Sequence, residues 1–314
     1  MARHIPGNLI KHKTMENKVY QMVTDRIIEQ MQKGIIPWRK PWHGAEATGE
    51  DVAISYTSRR AYSTINQFLL GNKPGEWLTF KQLTERGGKI KKGAKAGIVV
   101  FYGKFTYTKE TKQDGAEVTV MEEHTIPVLK YYNVFHIEDC TGIESKIKDN
   151  QPETTVESIE QAESIINAYV ERETLKFQND KPSNRAYYSP STDEVVVPML
   201  SQYTEVEEYY STLFHELTHS TGIKSRCDRG LEEHAAFGSA VYSREELVAE
   251  MGSAMVCNAI GISTEKAFRN SVAYLQSWID ALKSDKRMIV WAAGRAEKAV
   301  RYMFGEVTEK EVEE

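Results

Sequence analysis

The feature that most constrains this 314-residue chain is the run His215-Glu216-Leu217-Thr218-His219. Only a helix makes chemical sense of it. Positions i and i+4 lie on one helical face, so both imidazoles leave the same side one turn apart. Two imidazoles in that arrangement can bind one Zn²⁺ at about 2.0–2.1 Å. Glu216 sits about 100° further round the helix. It cannot easily join the ligand face, but it can reach a water beside the ion. Tyr209, Tyr210, Leu213, Phe214 and Leu217 give the same segment an apolar side to bury, and Gly222 can end it. Such a pentapeptide arises by chance roughly 0.02 times in a chain of this length and composition, so it needs a second half to carry weight.

That second half is Glu246-Leu247-Val248-Ala249-Glu250, 27 positions beyond His219 and on another predicted helix. Two acids at i and i+4 share a face. Glu246 can act as the third ligand, and Glu250 can accept the outer N–H of a ligand histidine, most naturally His215. Glu245 is the rival ligand. It points about 100° away from Glu246 and has Ala249, not an acid, four residues on. Helical geometry therefore favours Glu246. Three protein ligands leave a fourth position open, the layout of a catalytic rather than a structural site, with one Zn²⁺ per chain. Glu216 would take a proton from the attacking water and pass it to the leaving amine. Tyr242 and His234 are candidates to assist the oxyanion, although a structural role is the commoner fate of such residues. The strand expected at 194–197 could pair with an extended substrate backbone or simply lie in the core.

The bulk numbers describe a soluble globular protein: 40% hydrophobic and 27% charged residues. The length suits two domains. No apolar run reaches the ~18 residues needed to cross a bilayer, and residues 1–13 lack the apolar centre of a signal peptide. A cytoplasmic protein with no membrane partner is the expectation. Cys140, Cys227 and Cys257 are widely spaced and odd in number, which suits free thiols. The net charge of -5 hides an asymmetry. Residues 1–145 hold 21 Lys and Arg against 16 Asp and Glu, and the remainder hold 19 against 29. Only the first half is suited to a polyanion.

Periodicity predicts a helix at 14–33 and short helices at 61–70 and 79–85. Strands are predicted at 97–108 and 118–137, joined through a turn at Asp114-Gly115. The polar stretch 144–155 is the best linker. It divides the chain into domains at 1–145 and 150–314. Beyond it come a helix at 156–170, a hairpin within 185–198, and helices near 203–221, 243–258, 264–284 and 287–304. The fold class is α+β: an N-terminal mixed α/β domain, then a mostly helical domain with a small β-sheet.

Residues 39–95 carry 11 Lys and Arg against 5 Asp and Glu. Aromatic residues interleave with them. Cations track a phosphate backbone and aromatic faces stack on unpaired bases, so this composition fits single-stranded nucleic acid. The candidate contacts are Trp38, Arg39, Lys40, Trp42, Arg59, Arg60, Tyr62, Trp77, Lys81, Lys89, Lys91 and Lys92. The competing reading is that the tryptophans are core and the lysines solvated turns. No helix-turn-helix or RNP-type motif supports duplex readout.

Taken together, the two halves resemble the antirestriction proteins of the ArdC type, found on conjugative plasmids and related mobile elements. The resemblance rests on Gly34 to Trp42 (GIIPWRKPW), Tyr62 to Asn66 (YSTIN), Trp77 to Gln82 (WLTFKQ), Gly87 to Gly93 (GGKIKKG) and Tyr132 to Phe135 (YNVF). It continues in His215 to His219 and Glu245 to Glu250, and it spans nearly the whole chain. It departs at His136 to Asp139, where the family pattern has an Asn and a Gln. The resemblance implies an N-terminal single-stranded-DNA-binding domain and a C-terminal zincin-like metallopeptidase domain. It also implies a role in protecting incoming DNA from host restriction, with a protein substrate or restriction component as partner. The alternative is a non-catalytic coat for single-stranded DNA in which zinc serves stability. A metal-dependent nuclease fits less well, because two His and a Glu suit zinc peptide hydrolysis better than Mg²⁺ phosphodiester chemistry.

Overall fold

The computed structural model describes residues 7–39, 52–112, 119–147, 157–231, 240–262 and 272–306. Helix α1 (Gly7–Gln32) buries Val19, Val23, Ile27 and Met31, one stripe at helical spacing. Gly34, at φ +78°, ends the helix by letting the Ile35 amide return to the Gln30 carbonyl at 3.0 Å.

A four-stranded sheet follows. It is built from β1 (Ala53–Ser55), β2 (Gly75–Thr79), β4 (Gly97–Lys112) and β5 (Thr119–His136), in the order β1-β2-β5-β4. β1 runs parallel to β2, and the other pairings are antiparallel. Between these strands lie α2 (Thr64–Leu69), α3 (Phe80–Thr84) and the short β3 (Lys89–Ile90), which pairs with β6 (Cys140–Thr141). A Thr79–Gln82 capping box starts α3. The sequence predicts helix from residue 61, but the helix begins only at Thr64. Ala61 bridges Ile54 and the Tyr62 amide bonds to the Ala53 carbonyl, so sheet pairing claims those residues first. β1 and β2 were too short to signal by alternation. The tip of the long hairpin, with Asp114-Gly115, lies outside the described residues.

Both edges of α2 are tied to other elements. The Asn66 side chain donates to the Val100 carbonyl (2.9 Å) and accepts from the Val100 amide (2.6 Å), standing in for a strand along β4. From α8 (Met288–Met303), the Glu297 carboxylate accepts from the amide and hydroxyl of Thr64 at 2.6 and 2.7 Å. It thereby caps the first turn of α2.

The C-terminal half opens with α4 (Glu157–Glu173) and a three-stranded sheet of β7 (Lys176–Gln178), β8 (Tyr187–Ser189) and β9 (Glu194–Val196). The order is β7-β9-β8. Helices α5 (Val206–Ser220), α6 (Ala240–Ala259), α7 (Val272–Ser284) and α8 follow. One apolar core joins α4, this sheet, α5 and α8. A larger one runs across both halves of the chain: Val23, Ile27 and Phe68 share it with Leu247, Met251 and Ile289. The linker expected near residue 150 falls where residues 148–156 are not described. The two segments it divides nevertheless pack as one body along α1, α2, α6, α7 and α8.

Among the described residues no helix is long and apolar enough to cross a membrane. Cys140, Cys227 and Cys257 are all buried and free.

Candidate metal centre

α5 owes its placement to three faces. Tyr210, Leu213, Phe214 and Leu217 sink into the core shared with β9 and α4. Ser211 and Thr218 face α6, where the backbones come close. A Cβ added to Gly252 would stand 2.6 Å from the Thr218 methyl, so only glycine admits this spacing. The Ser253 hydroxyl bonds the Ser211 carbonyl at 2.6 Å across the same seam. The third face carries His215 and His219.

α6 brings Glu246 to that face. The Nε2 atoms of His215 and His219 lie 3.1 Å apart, and Glu246 stands 3.5 Å from each, one carboxylate oxygen per ring. Four ligands around an ion at about 2.0–2.1 Å in tetrahedral array are separated by about 3.3 Å. These spacings suit a cation held among the three side chains, which retain 13–25% exposure. Glu216 is buried beside them at 9% exposure.

Glu245 does not compete as a ligand. It accepts from His219 Nδ1 at 3.1 Å, which holds the ring with Nε2 towards Glu246. Glu245 is itself held by Arg229, whose guanidinium donates to its two oxygens at 2.9 and 2.7 Å. The same guanidinium reaches the Thr218 carbonyl and the Thr221 hydroxyl, each at 2.7 Å. It thus satisfies the carbonyl end of α5, where a cation is favoured. Burial pushes Glu245 up, yet the charge and bonds of Arg229, with His219, outweigh it and hold the carboxyl below its ordinary value. The turn that returns Arg229 passes close to Gly222, where a Cβ would meet Leu231 at 2.4 Å.

Glu250, expected to bond His215, lies within electrostatic reach of that ring. Burial opposes charge on His215. The carboxylates of Glu246, Glu216 and Glu250 prevail and raise its pKa to about 9. Three acids converging on one imidazole mark a site that draws cations. Arg229 was invisible to sequence reasoning, since no local pattern announces a loop arginine folding back under a helix.

Other expectations need correction. β9 is the central strand, paired on both sides, with Val195 and Val196 at 0% and 4% exposure. Its backbone has no edge left for a substrate. His234 and the side chain of Tyr242 lie outside the described residues.

The proposed DNA contacts divide sharply. Trp38 is 1% exposed, with its ring against Phe68 and Trp278 in the large core, so it has no face to offer a base. Trp77 is 6% exposed and stands edge-on to His136. Arg59 is ion-paired with the buried Glu76. Lys91 donates to the Glu138 carbonyl at 2.6 Å. Arg60, Lys81, Lys89 and Lys92 are exposed, and Tyr62 is partly so. Lys40, Trp42 and the side chain of Arg39 lie outside the described residues. Exposed aromatic rings occur at Phe80 on α3 and, clustered, on the β4–β5 hairpin: Phe101, Tyr102, Tyr131 and Tyr132. The sequence places the hairpin rings on the strands expected at 97–108 and 118–137 but does not single them out as contacts.

A helix bearing two histidines, crossed closely by a second helix bearing a glutamate, defines a zincin-like fold behind an α/β N-terminal half. Residues 160–295 match the family described as zincin-like metallopeptidase, and residues 17–135 match the N-terminal domain of anti-restriction factor ArdC. The crystal structure of antirestriction ArdC protein from plasmid R388, metal-free, aligns with TM-score 0.67 at 32% identity, covering 91% of this chain and 97% of that one. Its Mn(II)-bound structure aligns with TM-score 0.65 at 30% identity, covering 92% and 98%. Uncharacterized protein y4eC of Sinorhizobium fredii is 30% identical, with 92% of each chain covered. DNA primase TraC of Escherichia coli is 33% identical over 94% of this chain, which spans only 28% of that protein's length. The chain belongs to the ArdC-type antirestriction family.

Proposed function

We propose that this chain is a DNA-associated antirestriction protein. Its C-terminal half, 150–314, is a zinc-dependent peptide hydrolase, and its N-terminal half, 1–145, binds single-stranded DNA. The observation that carries the hydrolase reading is the convergence of His215, His219 and Glu246, the two Nε2 atoms 3.1 Å apart and a different Glu246 oxygen 3.5 Å from each, beside Glu216. Two imidazoles and one carboxylate suit zinc. The Mn(II)-bound relative supports a divalent ion at the corresponding fold. When bound, the ion supplies Lewis acidity to water and to a carbonyl oxygen. Glu216 takes the proton released as water attacks and returns it to the departing amine. Glu245 and Arg229 keep His219 turned for its task. Glu250 adds negative charge behind His215. An exposed strand edge such as β8, rather than β9, is the place for an extended peptide backbone.

The DNA reading rests on the family and on the positive first half of the chain. It places the protein in the cytoplasm, where it would meet incoming DNA and a host restriction component.

Elemental analysis should find one zinc per chain, lost in His219→Ala and retained in Glu216→Gln. A proteome-wide search for new N-termini, comparing wild type with Glu216→Gln, tests hydrolysis. Cleavage that depends on Glu216 supports the hydrolase. DNA protection that is intact in Glu216→Gln, with no Glu216-dependent cleavage, would replace it by the coating protein.

A further inference from the structure

We propose that the outward face of the β4–β5 hairpin, where Tyr62, Phe101 and Tyr132 meet beside Lys130, is the stacking platform for unpaired DNA bases. The proposal rests on the reading that this chain binds single-stranded DNA, and it relocates the contact from the buried tryptophans.

Register puts the rings together. Val99 pairs with Tyr132 and Phe101 with Lys130, so Phe101, Tyr132 and Lys130 lie on one face of the sheet. The Phe101 ring is 6.1 Å from Tyr132 and 6.2 Å from Tyr62, centre to centre. The rings are tilted by 62° and 51°, so they do not stack on and hide one another. Phe101 and Tyr132 remain 48% and 47% exposed. Further along the same face Val99, Val134 and Trp77 are buried, and on the opposite face Ile98, Val100 and Leu129 join the large core, which makes the support rigid.

Exposed apolar rings on a folded surface mark a binding site when they cluster. Charge decides what binds. The paired stretches 97–106 and 125–136 contain Lys104 and Lys130 and no Asp or Glu. Lys130 is led across the strand by a gap at Gly103, where a Cβ would lie 3.0–3.1 Å from its Cδ, Cε and Nζ. That lays the ammonium group over Gly103, two residues along the strand from Phe101 on the same face. Flat rings with an adjacent cation and no carboxylates match a strand of exposed bases and phosphates. An acid-free platform of this kind does not depend on base identity, so tolerance of sequence follows.

The test uses the full chain and a fluorescein-labelled oligothymidine of about 20 nucleotides, a length of one to several site sizes. Fluorescence anisotropy at two salt concentrations gives Kd and its salt slope. Phe101→Ala and Tyr132→Ala should each weaken binding roughly 5- to 150-fold, with the salt slope unchanged. Lys130→Ala should lower the slope by about 0.7. Phe101→Trp should retain affinity, and its fluorescence should be quenched by the oligonucleotide but not by an abasic strand. This variant keeps an aromatic ring and reports stacking even if the alanine variants fold poorly.

Wild-type binding with the ring variants within twofold, or no quenching of Phe101→Trp, overturns the platform while leaving DNA binding intact. No binding by wild type overturns the DNA reading as well. A wild-type dimer that Phe101→Ala converts to monomer, without loss of DNA affinity, assigns the face to a second copy instead.

Discussion

Arg229→Met removes a charge that is wholly enclosed. The Arg229 side chain is 0% exposed and Glu245 9%. Methionine has similar length and no donors, so the space is filled while five bonds are lost: two to Glu245, one each to Thr218 and Thr221, and a longer one to the His219 carbonyl. Breaking a buried pair from one side costs about 3–5 kcal/mol, because the surviving charge stays buried. That is a large part of a total stability of about 5–15 kcal/mol. Guanidinium denaturation followed by circular dichroism should show this loss. The pH dependence has a definite sign. Glu245 is held below its ordinary value in the folded chain, so its stabilisation is present above about pH 4.5 and disappears as pH falls through the lower folded value. Without Arg229 only His219 still opposes burial, so the pKa rises towards the unfolded value and the loss of stability on acidification becomes smaller. Adding Glu245→Leu should recover much of the stability, since an apolar replacement of a buried pair is often neutral. Metal affinity should not recover, because His219 Nδ1 has lost its acceptor; a deficit of about 10- to 100-fold in calorimetric titration is expected. Arg229→Met within about 1 kcal/mol of wild type, with unchanged metal affinity, would refute the reasoning.

Gly252→Ala should force α5 and α6 apart at Thr218 and weaken metal binding more than it disturbs helix content, read by titration alongside circular dichroism. Trp38→Ala should cost about 3–5 kcal/mol of stability, as for other large core aromatics, while the DNA affinity of the folded fraction stays near wild type. His136 sits with Nε2 donating to the Pro74 carbonyl at 2.8 Å and Nδ1 facing the Glu138 amide, and burial depresses its pKa. Stability should therefore decline as pH drops below about 6.5 towards the folded value, a slope that His136→Gln should flatten in urea titrations. Gly75→Ala should be poorly tolerated. Its φ is +111° and the new Cβ would lie 2.3 Å from His136 Nε2, which expression yield and melting temperature can show.

The long helices, the hairpin strands and the convergence of His215, His219 and Glu246 were legible along the chain. Those features are local, or repeat at the helical period: His215 and His219 share a face because 3.6 residues make a turn, and Glu246 differs from Glu245 by one 100° step. Short strands such as β1, β2 and β7 were not legible, since three to five residues carry too little alternation and their pairing is set by distant partners. Packing, not pattern, puts Trp38 and Trp77 in the core and leaves Phe101 and Tyr132 facing outward. An aromatic residue has the same sequence signature in either place, and its burial depends on which helix happens to cover its face. Tertiary structure likewise gave Glu245 to Arg229 and His219. A buried charge finds its partner through the folding of a loop, and no spacing along the chain encodes that meeting.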